Sequence, residues 1–137
     1  MLRRGLLFAV LAFGAGMAQA CELPALGPNA KTLADEKSGL TLSWRFAPSV
    51  PKIGEFFVVE FAVCDRAGLV GAEALRVDAQ MPAHRHGMNF QPRIVATGAN
   101  SFRAEGMMFH MPGKWQLAFE RRAPAGAARL TADVEIE

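Results

Sequence analysis

Imidazole and thioether side chains beyond residue 20 are confined to one stretch of this 137-residue chain. Beyond residue 20 the histidines are His84, His86 and His110, and the methionines are Met81, Met88, Met107, Met108 and Met111. They fall in two clusters, Met81-Pro82-Ala83-His84-Arg85-His86-Gly87-Met88 and Met107-Met108-Phe109-His110-Met111. Thioether is a soft ligand that selects Cu(I), and imidazole binds Cu(II) and Cu(I) alike. Zinc fits less well, because neither cluster holds a cysteine or a carboxylate. Calcium and magnesium require oxygen ligands. In an extended segment residues i and i+2 point the same way. That places His84, His86 and Met88 on one side of the chain, and separately Met108 with His110. Gly87 permits a turn that re-aims Met88. Ligand atoms sharing one ion must lie within roughly 4 Å of each other.

A plainer reading stands beside this one. Methionine is a common filler of irregular core gaps, so Met81 and Met107 or Met108 read equally as core. A lone histidine on an exported protein is ordinarily a surface residue. The co-localisation of all eight residues, with none elsewhere beyond residue 20, is what favours a shared copper site. Other chemistries find less support. No G-x-S-x-G, H-E-x-x-H, P-loop or G-x-G-x-x-G motif occurs. The serines that a hydrolytic triad would need, Ser38, Ser43, Ser49 and Ser101, sit in no suggestive context, and there is no tyrosine. The chain is expected not to be an enzyme.

The elements that must hold these clusters are strands. Leu40–Phe46 alternates, with Leu40, Leu42, Trp44 and Phe46 on one face. Glu55–Cys64 is denser, with Phe57, Val59, Phe61 and Val63 sharing a face, as in a central strand covered on both sides. Asp65 to Gly68 forms a turn. Leu75–Met81 alternates without error, and residues 82–89 form a loop. Pro92–Thr97 reads as an edge strand or a strand start. Gly98-Ala99-Asn100 turns into a strand over Ser101–His110. Lys114–Arg121 points Trp115, Leu117 and Phe119 inward, and Arg129–Glu137 closes the series. Trp44, Phe57, Val59, Val77, Trp115, Leu117 and Phe119 are the expected core. Seven strands at roughly ten-residue spacing predict an all-β, immunoglobulin-like antiparallel β-sandwich, with a small barrel as the alternative. Both ligand clusters then lie at strand-to-loop junctions, and antiparallel strands can bring such ends to one rim.

Residues 1–20 read as an export signal. Arg3 and Arg4 precede a short apolar run, and Ala18-Gln19-Ala20 is a small-x-small cleavage site. No stretch reaches the length of about 18 apolar residues that a membrane span needs. Arg3 and Arg4 also account for the whole excess of 15 basic over 13 acidic residues. The chain beyond residue 20 is therefore neutral and lacks the footprint of a nucleic-acid binder. Cleavage after Ala20 starts the mature chain at Cys21, followed by a lead-in over 21–38 with no assignable element and a single domain over 39–137. The two cysteines, Cys21 and Cys64, read first as a disulfide formed in an oxidising compartment, the bacterial periplasm. A lipid anchor on Cys21 is the second reading and a pair of free thiols the third. Gln19 fits the lipoprotein pattern poorly. A bridge would close a loop of roughly 40 residues, worth ~3–4 kcal/mol in the chain-entropy model.

The first cluster, together with Gly106-Met107-Met108-Phe109-His110-Met111-Pro112-Gly113-Lys114-Trp115-Gln116-Leu117, resembles the YtkA-like domain, related in pattern to FixH-type proteins. Over 39–137 that resemblance implies a small immunoglobulin-like sandwich, exported or membrane-tethered, without established enzymatic activity and linked by context to copper handling or cytochrome oxidase assembly. It carries over Met81, His84, His86, Met88, His110 and Met111 as matching positions. FixH-type proteins usually keep a membrane anchor, whereas the signal here looks cleavable. The expectation is a periplasmic copper-binding or copper-delivery protein with a copper donor or acceptor protein as partner. Cu(II) is expected mainly on His84 and His86 and to be lost in acid, because free imidazole protonates near about pH 6.5. Cu(I) on methionine is expected to persist there. The alternative is a structural or interaction module that docks on a partner without metal, and an enzyme accessory domain is a third reading.

Overall fold

The computed structural model describes residues 21–124 and 126–137; the expected signal peptide lies outside them. Among the described residues nine strands form two antiparallel sheets: β1 (Lys31–Asp35), β2 (Leu40–Ala47), β3 (Phe57–Asp65), β4 (Leu75–Met81), β5 (His86–Gly87), β6 (Arg93–Gly98), β7 (Ser101–Met107), β8 (Gly113–Arg121) and β9 (Ala128–Ile136). One sheet has the order β1-β2-β3-β7-β6 and the other β5-β4-β8-β9. The architecture is a β-sandwich, as the alternation predicts. Inward residues interleave between the layers: the ring of Phe119 on β8 meets Trp44 of β2 at 5.9 Å and Phe61 of β3 at 5.7 Å. All seven expected core residues are buried.

The strand boundaries differ from expectation where local chemistry overrides alternation. The lead-in contains β1, which pairs along β2 from Lys31↔Trp44 to Asp35↔Leu40. Strand β7 ends at Met107 and does not continue to His110. Gly106 has φ +90°, a conformation that favours glycine, and the chain then bends so that Phe109 is fully buried. The Phe109 carbonyl accepts a hydrogen bond from Gly54 N–H at 2.9 Å, which ties the bend to the loop before β3. The segment read as a loop after β4 contains a 3-10 turn at Pro82–His84 and the two-residue β5, which pairs back on Gln80 and Met81.

The two ends of the sandwich are built differently. At one end Cys21 and Cys64 form the disulfide, with Cα atoms 5.6 Å apart. Beside it Arg121 of one sheet approaches Asp65 of the other, Nε to Oδ2 2.8 Å, and both side chains are buried. The Nε–H is not aimed at the oxygen, so the contact is an ion pair and not a hydrogen bond. The opposite end collects the C-termini of β4 and β7 and the N-termini of β3 and β8. That end carries the histidines.

Candidate metal centre at the histidine–methionine rim

Three short segments build the rim. Pro82–His84 turns the chain out of β4, and Arg85 follows in the left-handed conformation with φ +54°. The chain is therefore not extended through His84 and His86, and i, i+2 alternation does not apply to this pair. The turn brings the rings together all the same: the His84 and His86 centroids are 5.7 Å apart. The bend after β7 supplies the third ring, with His110 lying 5.1 Å from His86. His86 thus sits between His84 and His110.

Two imidazoles on one ion, each about 2.0–2.1 Å from it through nitrogen, have ring centres about 5–6 Å apart. Ordinary aromatic packing gives the same spacing, so the ring nitrogens carry more weight. His86 Nδ1 lies 3.3 Å from the Gly87 carbonyl. Donation of Nδ1–H there leaves Nε2 with its lone pair, the arrangement usual behind a metal-bound histidine. His110 Nδ1 is buried and has no hydrogen-bond partner. A buried polar atom left unpaired costs ~1–3 kcal/mol, and a bound ion would satisfy it. These features fit a soft or borderline metal.

Burial grades across the rim. His84 is exposed, while His86, His110, Met88 and Met111 are half-buried. Met88 and Met111 pack against the core from the rim side, and Met88 N–H is held on the Ala79 carbonyl at 3.2 Å. Met81 and Met107 are fully buried core residues. Met108, next to Met107, is half-buried. Among the described residues no group of three or more His, Cys, Asp or Glu is arranged to hold a metal ion. A complete donor set would therefore have to draw on methionine sulfur.

Trp115 was legible only as core, yet it borders the rim. Its ring lies 5.3 Å from His110 and 6.0 Å from His86. A tryptophan at an inward strand position carries no sequence signal that separates packing from a site wall. No family model, curated protein or solved structure matches the chain. Among the described residues no helix is long and apolar enough to cross a membrane.

Proposed function

We propose that the protein is an exported, periplasmic copper-binding protein that holds or delivers copper through this rim and is not an enzyme. The observation that carries the reading is the succession of close rings His84–His86–His110, in which His86 Nδ1 faces the Gly87 carbonyl and His110 leaves a buried nitrogen unpaired. Met111, Met88 and Met108 are the sulfur donors nearest in sequence to those rings, each within two residues of one. Copper would supply only its affinity for sulfur and imidazole. His86 would supply nitrogen together with one neighbour, His84 on the solvent side or His110 on the buried side, and methionine sulfur would complete the set. An ion at an open rim is reachable from outside, so it can pass to a copper-accepting protein without unfolding of the sandwich. The likeness of the two clusters to the YtkA-like domain points the same way.

Dialysis of the purified protein against Cu(I) and Cu(II), with copper counted per chain, tests the reading. The wild type is expected to retain copper, and the His84→Ala/His86→Ala double variant to lose Cu(II) while holding Cu(I) weakly. A wild type that retains no copper in either state, or a double variant that holds it equally well, would overturn it. A second reading, a docking module without metal, draws on one feature. Phe56 and Phe90 are 59% and 46% exposed and meet edge to face at 5.0 Å. Solvent-facing aromatic pairs mark interaction surfaces.

A further inference from the structure

We propose that Trp115 is the positioning residue of the rim, setting the spacing between the two segments that carry the ligands. The inference rests on the metal reading above. The two segments are far apart in sequence. Among the described residues no backbone hydrogen bond joins 86–88 to 108–112. Besides the direct contact of the His86 and His110 rings, what they share is one indole. Trp115, His86 and His110 close a triangle of rings with sides of 5.1, 5.3 and 6.0 Å. Both histidines stand steeply to the indole plane, at 85° for His110 and 69° for His86.

The indole nitrogen adds a directional hold. Nε1–H is the only hydrogen-bonding group of a tryptophan side chain, and here it donates to the Met111 carbonyl at 3.0 Å. That bond fixes the bend carrying His110 and Met111. The rear of the indole is fixed in turn by Phe109, 5.0 Å away, which meets Phe57 of β3 at 4.7 Å. The ring is therefore held by both sheets and cannot shift to suit an ion. The buried indole closes the inner side of the rim, and His84 lies on its exposed side. A site walled on one side and rigid behind is preorganised, which raises affinity by lowering the ordering cost of binding.

Trp115→Phe keeps an aromatic ring and deletes the Nε1–H. The variant is expected to keep the far-ultraviolet circular dichroism and the bridge of the wild type, and to bind copper about five- to tenfold more weakly, as loss of one net hydrogen bond predicts. A second readout separates a site wall from mere packing. Trp44→Phe leaves Trp115 as the sole indole, and saturating copper should quench its emission. In Trp115→Phe the remaining indole is Trp44, whose ring neighbours are Phe46 and Phe119, and its emission should persist at saturation. Should one variant fail to fold, the other still decides. Wild-type affinity in Trp115→Phe, or undiminished Trp115 emission at saturation, overturns the inference while leaving copper binding intact. A wild type that binds no copper overturns the parent reading and this one together, and dialysis of the wild type alone distinguishes that case.

Discussion

His110 carries a cost that the fold does not recover. Its Nδ1 is buried without a partner, and the ring is confined between His86 and Trp115. Groups kept in this state are where natural proteins trade stability for function. His110→Leu removes the orphan nitrogen at similar bulk. Without metal the variant is expected to melt no lower than the wild type, and up to about 1 kcal/mol higher in stability, while copper retained after dialysis falls. Thermal unfolding of the metal-free proteins, paired with copper counting, checks both halves; a variant that is less stable and still loads fully would show the ring to be plain packing. At this scale the sequence showed two clusters of histidine and methionine, whose imidazole rings the structure brings together. It was silent on Arg85, whose left-handed backbone replaces the extended geometry that spacing alone implies.

Strands were legible wherever one face is apolar and the other is not. β4 and β8 alternate cleanly, and they pair in register from Leu75↔Arg121 to Gln80↔Gln116. β1 escaped because its burial is shallow: Leu33 alone packs against the core, so Lys-Thr-Leu-Ala-Asp lacks a hydrophobic face. β7 was read too long because Met107 and Phe109 keep the two-residue period across a point where Gly106 redirects the backbone. Two tests belong to elements. Trp115→Ala should cost about 3–5 kcal/mol in chemical denaturation, the usual range for a large aromatic removed from a core; a variant that unfolds like the parent would place the indole outside the core. The β1–β2 turn offers a pH test. Hydrogen bonds from Ser38, its side chain first and then its backbone, with Lys37 adding to them, hold the Asp35 carboxyl below its ordinary range. A carboxylate with a lowered folded pKa stabilises above its unfolded value, and the gain vanishes as pH falls through the folded one. Asp35→Asn should therefore lower the urea midpoint near neutrality and match the wild type in strong acid; an equal deficit at both would trace the effect to something other than ionisation.

The whole molecule keeps its cross-links and its histidines at opposite ends. β3 runs from Phe57 to Asp65, about 26 Å at the rise of an extended strand. The histidine rim lies by its first residue, and the disulfide and the buried Arg121–Asp65 pair lie by its last. Under the proposed function, stability and ligand chemistry are thereby separated. Reduction of Cys21–Cys64, which spans 43 positions, should lower stability by about 3–4 kcal/mol. The copper count of the still-folded reduced protein should not change. A drop in the copper count at temperatures where the reduced chain remains folded would show the ends to be coupled. Loss of one partner of the ion pair, as in Arg121→Met, should cost about 3–5 kcal/mol, because it strands a buried carboxylate. The bridge itself was legible from two cysteines in a chain whose first twenty residues read as an export signal. The inter-sheet ion pair was not read: Asp65 reads as a turn residue, and Arg121, which shares the inward parity of Trp115, Leu117 and Phe119, has no partner that spacing alone could name.

That bridge also bears on how the molecule is made. The chain has two cysteines in all, so one connectivity is possible and there is no wrong pairing to undo. Maturation in an oxidising compartment needs an electron acceptor and no isomerase. Cys21 emerges first from any vectorial process and waits until Cys64, the penultimate residue of β3, follows. Closure then fastens the segment before β1 onto the central strand of its sheet while the rim residues are still to come.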